Sequence, residues 1–142
     1  MTPQQVELVQ TSFKKVVPIA AKAADLFYNR LFEIAPETRA MFPKDLAEQK
    51  GKLMSMLGTA VTNLHKLDTI LPAVKDLGSR HKGYGVTAAH YAPVGAALLW
   101  TLKQGLKEAW TPAAQSAWTA AYTTVATVMR RAAAARAADP VA

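Results

Sequence analysis

Residues 19–32 read IAAKAADLFYNRLF, and the spacing of their apolar side chains decides the fold class. The apolar residues that recur at steps of three and four are Ala20, Ala24, Phe27 and Leu31. That spacing places them on one face of an α-helix, because the helix completes a turn in 3.6 residues. Tyr28 lies on the same inward face, so the predicted helix carries a phenol towards the interior.

The composition extends this conclusion to the whole chain. Its 142 residues are 51% hydrophobic, enough for one domain with a proper core. There are 28 alanines but only 14 valines and isoleucines together, a balance that favours helix over sheet. Cysteine is absent, which excludes a disulfide framework, a cysteine nucleophile, a thiolate-bound zinc and an iron–sulfur cluster. We predict an all-α protein in which any metal has histidine or oxygen ligands.

Caps and prolines divide the rest of the chain into further helices. Thr2-Pro3-Gln4-Gln5 is typical of an N-cap, a proline at the first helical position and a capping-box glutamine, and Thr111-Pro112 repeats the start. A short helix opening at Ala35 should stop near Phe42-Pro43, since proline disfavours helical geometry in the preceding residue, which places Phe42 at a corner. The other helices are predicted from Pro3 to Pro18, over residues 47–67, from Leu71 to about Gly83, up to Trp110, and from Pro112 onward.

The net charge of +7 is spread along the chain, with no run that resembles a recognition helix or a basic arm. We interpret it as a solvated basic surface and expect no nucleic-acid partner. Two uncharged runs, residues 83–102 and 111–129, approach membrane-span length, but polar residues, glycine or proline interrupt both, which favours buried helices. The first residues lack a signal-peptide pattern, so we expect a cytoplasmic protein with no integral membrane segment.

The histidines His65, His81 and His90 are the three imidazoles available to a metal. No two have the spacing of a protein-only zinc or di-iron site. A single imidazole can still hold iron where a porphyrin supplies the other four ligands. His81 follows Leu77 by one helical turn and can share its inward face, whereas His65 and His90 suit exposed or capping positions. The residues alone leave open whether His81 is a ligand or an ordinary histidine at a helix end.

Two polar side chains, Tyr28 and Gln49, lie on otherwise apolar helix faces. Gln49 comes one turn before Leu53 on its stripe. Each alone is compatible with a tyrosine at a rim or a glutamine in a first helical turn. If both enter one pocket, they offer a phenol and an amide donor to a diatomic ligand that carries negative charge on its outer oxygen.

Five separated segments together resemble a globin. They are residues 26–32 (LFYNRLF), residues 36–42 (PETRAMF), Gln49 with Leu53, residues 77–81 (LGSRH), and His90-Tyr91 with Val94-Gly95. More narrowly, the chain resembles single-domain bacterial haemoglobins related to flavohaemoglobins, with neuroglobin-like features. The resemblance implies a globin fold of six to eight helices around a haem pocket. We expect residues 1–130 to form this domain and residues 131–142 to be an Ala/Arg-rich C-terminal tail.

The resemblance also implies roles for the matching residues. His81 is the implied iron ligand of haem b (iron protoporphyrin IX). The implied catalytic residues are Tyr28 and Gln49 on the distal side and Tyr91 on the proximal side, and Gln49 and Tyr91 are also implied to contact the haem. The other residues implied to contact haem are Phe42, which stacks on it, Leu53, Leu57, Leu77, Val86, Val94 and Leu98. Lys52 and Arg80 are equally compatible with propionate partners and with ordinary solvated cations.

The chain departs from the flavohaemoglobin pattern at three points. The glutamate of the proximal triad is replaced by Ala133, which weakens the case for peroxidase-like chemistry. The length leaves no room for flavin and nicotinamide domains, so electrons are expected from a separate reductase. Pro93 follows Ala92 instead of the tyrosine, which is expected only to shift the start of that helix.

The implied function is reversible, high-affinity binding of O₂ and of the other diatomic gases CO and NO. We expect nitric oxide dioxygenation with an external reductase, by a monomer or homodimer. The alternatives are O₂ storage or gas sensing without turnover, and a haem-free globin-like interaction module. A basic surface that binds nucleic acid or anionic membranes ranks below these.

Overall fold

The computed structural model describes residues 1–66 and 88–138, with side chains described for residues 1–66 and 91–127. Its α-helices are α1 (Pro3–Val16), α2 (Ala20–Ile34), α3 (Ala47–Thr62), α4 (Ala88–Leu106) and α5 (Pro112–Ala138). Short 3₁₀ turns lie at Val17–Ile19, Pro36–Met41, Leu64–Lys66 and Lys107–Ala109. No strand occurs among the described residues, which confirms the all-α prediction. The helix predicted from Leu71 and the site residues Leu77, Arg80, His81 and Val86 lie outside the described residues.

Both predicted helix caps are present. The Thr2 hydroxyl accepts from the Gln5 amide at 3.1 Å, and the Gln5 side chain accepts from the Thr2 amide at 3.0 Å, which completes the capping box. Thr111 accepts from the Ala114 amide at 3.1 Å at the start of α5. These local bonds satisfy amides that have no partner inside the helix, and so they fix where each helix begins.

The core forms where α2 packs on α4 and α1 packs on α5, with α3 lying across α1 and α2. The largest buried side chains come from all of these helices and include Val9, Phe13, Phe27, Leu31, Val61, Leu102 and Trp118. The Trp118 indole N–H donates to the Ser12 hydroxyl at 2.9 Å, and Ser12 in turn donates to the Leu8 carbonyl at 2.6 Å. Trp118 and Ser12 therefore join α1 to α5 through a buried hydrogen bond.

None of the described helices combines the length and the hydropathy needed to cross a lipid bilayer. α5 covers residues 112–129 of the second long uncharged run. Its buried residues, Ala114, Ala117, Trp118, Ala121 and Ala126, pack in the interior of the protein.

The helix predicted over residues 47–67 is shorter than expected. α3 ends at Thr62, and the Gln10 side-chain amide donates to the carbonyls of Val61 at 3.0 Å and Thr62 at 3.3 Å. The Asn63 side chain also bonds back to the Thr59 carbonyl at 2.9 Å. The last carbonyls of the helix thus accept hydrogen bonds from side chains. They are satisfied without the amides of a further helical turn, so the helix can end at Thr62.

The fourth described helix contains a proline and ends earlier than predicted. α4 spans Ala88–Leu106 with Pro93 inside it, and the missing proline N–H removes one hydrogen bond near its N-terminus. At the other end α4 stops at Leu106 instead of reaching Trp110. Lys107 has a φ of 53°, a left-handed conformation that ends the α-helix before a 3₁₀ turn.

Candidate functional site

Tyr28 extends from α2 into a cluster of aromatic rings and is 5% exposed. Its ring centroid lies 5.1 Å from that of Phe27, 5.5 Å from that of Phe42 and 6.0 Å from that of Phe32. The contacts with Phe27 and Phe42 are edge-to-face, the arrangement that aromatic quadrupoles favour. These rings hold the phenol in one orientation.

The Tyr28 hydroxyl donates to the main-chain carbonyl of Gln49 at 3.3 Å. This distance is longer than the usual 2.5–3.0 Å of an O–H···O bond, so the interaction is weak. Burial raises the pKa of Tyr28 to about 12, because the low-polarity surroundings disfavour the phenolate. The group is therefore a protonated hydrogen-bond donor throughout the physiological pH range.

Gln49 lies in the first turn of α3 and is half-buried. The turn is set by Asp45, whose carboxylate accepts from the Ala47 amide at 2.9 Å. Beside it, Lys50 forms a 2.8 Å ion pair with Asp25 of α2. The start of α3 is thus held to α2 by this ion pair and by the Tyr28 hydrogen bond. Tyr28 contacts the main chain of Gln49, and the joint role of the phenol and the Gln49 side-chain amide stays a prediction.

Phe42 lies at the corner between the 3₁₀ turn Pro36–Met41 and α3. Its φ of −121° and ψ of 152° are extended, as expected before Pro43. The ring packs at 5.9 Å from that of Phe32 and is only half-buried. The corner predicted from the Phe-Pro pair is confirmed, and it presents an aromatic ring next to Tyr28.

Apolar side chains continue from Phe42 along α3 and α4. We refer to Phe42, Leu53, Leu57, Val94 and Leu98 as the apolar wall. Leu53 and Leu57 follow Gln49 at one and two turns, and Leu98 of α4 is 8% exposed. Leu98 belongs to the hydrophobic cluster that contains Tyr28, and the other four residues pack against that cluster. Phe42 also contacts the Tyr28 ring directly.

Tyr91 is half-buried in the first part of α4. Its main-chain carbonyl accepts a hydrogen bond from the Tyr122 hydroxyl of α5 at 2.5 Å. The Tyr122 ring lies so close to Gly95 that a Cβ at residue 95 would be 2.7 Å from Tyr122 Cε2. Gly95 thus permits α4 and α5 to approach, and Tyr122 ties the backbone at Tyr91 to α5. The role of the Tyr91 side chain stays a prediction.

The remaining described residues of the predicted site lie at the surface. Lys52 is 59% exposed at its side chain and pairs with Glu48 at 3.1 Å, so its role beside a propionate stays a prediction. His65 is exposed as expected, with Nδ1 3.4 Å from the Gln10 side-chain nitrogen. Across residues 1–66 and 88–138, no group of three or more histidine and acidic side chains is arranged to hold a metal ion.

Sequence reasoning assigned no role to Arg39 or Tyr122. Arg39 donates to the main-chain carbonyls of Phe42, Pro43 and Lys44. This contact could have been predicted from an arginine three residues before a Phe-Pro pair. The pair ends the helix, so the carbonyls that follow have no helical amide to bond and are available to the arginine. Tyr122 gave no comparable signal, since its acceptor is a backbone oxygen 31 residues away.

Comparison with known proteins gives consistent matches over most of the chain. The globin family model matches residues 25–129. The chain is 32% identical over 120 residues to a flavohemoprotein of Bacillus subtilis (strain 168), a match covering 80% of this chain but 30% of that protein. It is 28% identical to leghemoglobin-1 of Lupinus luteus, with 92% of this chain and 94% of that protein covered. It is 26% identical to neuroglobin-1 of Oncorhynchus mykiss, with 92% and 91% covered.

Solved structures give the same result. A bacterial globin from Campylobacter jejuni superposes with a TM-score of 0.81 at 26% identity, covering 97% of this chain and all of that one. An engineered carbene transferase, described as a candidate nitric oxide dioxygenase from Rhodothermus marinus, superposes with a TM-score of 0.88 at 26% identity, covering 97% and 96%.

Proposed function

This chain belongs to the globin family, and from that premise we propose that it binds O₂ tightly on haem and converts nitric oxide to nitrate with electrons from a separate reductase. The observation that carries the proposal is the buried, protonated phenol of Tyr28, whose hydroxyl makes a long hydrogen bond of 3.3 Å to the Gln49 carbonyl. The similarity to a flavohemoprotein and to a candidate nitric oxide dioxygenase supports the choice of reaction.

The described residues fit a porphyrin by their chemistry. The apolar wall suits the flat, apolar surface of a porphyrin, and it leaves one polar donor, Tyr28, beside that surface. We propose that Phe42 and His81 would hold the group, with the Phe42 ring against the porphyrin and the His81 imidazole as the ligand of the iron. When bound, haem supplies ferrous iron, which takes O₂ and gives up one electron as O₂ and nitric oxide combine to nitrate.

Tyr28 is the residue proposed to stabilise the gas. Its hydrogen bond to the Gln49 carbonyl is long, at 3.3 Å, and therefore weak. Breaking this bond to turn the hydroxyl towards a diatomic ligand costs little free energy. An acceptor with partial negative charge forms a stronger bond than a neutral carbonyl does. The half-buried amide of Gln49 is proposed as the second donor. Two donors of about 1–3 kcal/mol each slow the escape of O₂ by orders of magnitude.

Slow release makes the protein poor at delivering O₂ and suited to consuming it. The chain spans 30% of the length of the flavohemoprotein it matches. The similarity to that protein supports a reductase as the source of electrons, and we propose that this reductase is a separate protein. A cytoplasmic location is proposed with it, because reduced nicotinamide for such a reductase is available there.

Visible spectra of the purified protein in ferric, ferrous, O₂ and CO forms test the proposal, followed by mixing of the O₂ form with one equivalent of nitric oxide. We expect a Soret band that His81→Ala abolishes, and one nitrate per haem. A Soret band without nitrate leaves O₂ binding or storage as the function. A colourless protein that takes up no added haem overturns the haem assignment and favours an interaction module.

A further inference from the structure

One arginine holds the main chain of the corner that carries Phe42. Arg39 Nη1 donates to the Phe42 carbonyl at 3.3 Å and to the Pro43 carbonyl at 3.0 Å, and Nη2 donates to the Lys44 carbonyl at 3.0 Å. Three consecutive carbonyls thus share one guanidinium. A planar group with five N–H donors in a fixed geometry can satisfy such a set, whereas an ammonium is a single point donor.

The same guanidinium contacts the aromatic cluster. Arg39 Cζ lies 5.2 Å from the centre of the Phe32 ring, within the range of a cation–π interaction. Phe32 in turn packs on Phe42 at 5.9 Å and on Tyr28 at 6.0 Å. Arg39 therefore holds the Phe42 backbone through hydrogen bonds. It also contacts the Phe32 ring, which packs against the rings of Phe42 and Tyr28.

The corner has few other means of holding its shape. Pro43 has no N–H, and Phe42 is extended, so neither residue can continue a helix. The Phe42 amide bonds to the Arg39 carbonyl at 3.2 Å, and the next anchor is the Asp45 cap on Ala47. Between these two points, the carbonyls of residues 42–44 accept hydrogen bonds from the Arg39 side chain, and the Leu46 carbonyl accepts from the Lys50 amide at 2.9 Å.

We propose that Arg39 is a positioning residue for the haem pocket, which acts by holding Phe42 in the orientation that stacks on the cofactor and by fixing the start of α3 that carries Gln49. This role rests on the proposed function, because it requires that Phe42 contact haem. Arg39 touches neither gas nor cofactor in this role. Its loss frees the corner while the helical core stays folded.

The test compares Arg39→Gln and Arg39→Lys with the wild-type protein as purified and loaded with haem. Arg30→Gln is the matched control, since Arg30 pairs with Glu33 at 3.2 Å and stacks on Trp100 instead of the corner. We measure the rate of haem transfer to an apo-globin acceptor and the amide hydrogen exchange of Phe42 and Ala47, whose N–H groups are hydrogen-bonded at the two ends of the corner. In Arg39→Gln we expect both rates to rise about tenfold, which is the effect of losing one to two net hydrogen bonds.

We expect Arg39→Lys to give intermediate rates, because an ammonium can donate to only some of the three carbonyls that the guanidinium binds. Arg30→Gln should give the rates of the wild type. Exchange of Val9 and Phe13 in α1 should be unchanged in every variant, which separates a local role from general destabilisation. Wild-type rates in Arg39→Gln, or faster exchange throughout the protein, overturn the inference and leave the proposed function intact. If the wild type takes up no haem, the proposed function fails along with the cofactor role of Arg39, while the exchange data still show whether Arg39 holds the corner.

Discussion

The hydroxyl of Tyr28 in α2 donates a hydrogen bond to the main-chain carbonyl of Gln49 in α3, 3.3 Å away. The acceptor is a backbone atom, so this bond does not depend on which side chain occupies position 49. The phenol and the Gln49 amide can therefore be examined one at a time.

Tyr28→Phe should raise the O₂ dissociation rate by about ten- to hundredfold, because it removes a donor to a partly charged acceptor. Flash photolysis or stopped-flow replacement of O₂ by CO measures the rate. CO carries much less negative charge, so its dissociation from the same variant is the internal control and should change little. An unchanged O₂ rate would show that Tyr28 does not contact the gas.

Gln49→Leu should raise the O₂ dissociation rate by less than Tyr28→Phe does, by about three- to tenfold. The Gln49 carbonyl persists in this variant, so the resting partner of Tyr28 is retained and the change reports on the amide alone. The double variant completes the cycle. Additive effects on the logarithm of the rate indicate two independent donors, whereas a silent Gln49→Leu rules out the amide as one of them.

The stability of the protein should fall as the pH rises from 10 to 12, in part because of Tyr28. Burial raises the pKa of Tyr28 to about 12 from its ordinary value of 10.0, so over this window the unfolded chain releases a proton that the folded chain keeps. The free energy of unfolding therefore contains a contribution of about 3 kcal/mol from the neutral Tyr28 phenol. This contribution is fully present below pH 10 and is lost as the pH rises towards 12. Denaturant unfolding at pH 9 and 11.5 should show a steeper loss for the wild type than for Tyr28→Phe. Equal slopes for the two proteins would contradict the raised pKa.

Gly95→Ala should destabilise the fold by about 1–3 kcal/mol, because the new Cβ lies 2.7 Å from Tyr122 Cε2 and the ring is held by its bond to the Tyr91 carbonyl. Gly51→Ala is the matched control, since a Cβ there meets no atom within 4 Å. That exposed substitution in α3 should stabilise the protein by up to about 1 kcal/mol. Thermal unfolding of both variants decides the matter, and a stabilised Gly95→Ala would show that Tyr122 moves aside freely.

Ser12→Ala should cost about 1–3 kcal/mol of unfolding free energy, because it leaves the buried indole N–H of Trp118 without its acceptor. Ser55→Ala, on the exposed side of α3, is the control and should stay within about 0.5 kcal/mol of the wild type. In a Trp118→Phe background the penalty of Ser12→Ala should shrink. A penalty that persists there would assign it to Ser12 itself and not to the pair.

Features that depend on neighbouring residues could be predicted from the sequence. The caps at Thr2 and Thr111 and the extended Phe42 before Pro43 each follow from one or two adjacent residues, and all three are present. The inward position of Tyr28 was also predicted, from the apolar stripe of α2, and Tyr28 is 5% exposed. That its phenol and the Gln49 side-chain amide act together stays a prediction, because the observed contact is to the Gln49 main chain.

Two kinds of contact could not be predicted from the sequence. They are hydrogen bonds whose acceptor is a backbone carbonyl, and contacts between side chains that lie far apart in the sequence. The carbonyl of Gln49, and those of residues 42–44 that Arg39 binds, carry no signature in the residue type. The end of α3 depends on Gln10, which is 51 residues from Val61. Pro93 lies inside α4 against the local rule, because packing and hydrogen bonds outweigh one missing N–H.

Pro93 also determines how the first turn of α4 is attached. With no N–H at residue 93, the Ala89 carbonyl receives no donor four residues ahead, while the Tyr91 carbonyl receives the Tyr122 hydroxyl of α5. Where the proline removes a hydrogen bond within α4, Tyr122 adds one from α5, so the first turn of α4 is anchored to a neighbouring helix as well as to its own.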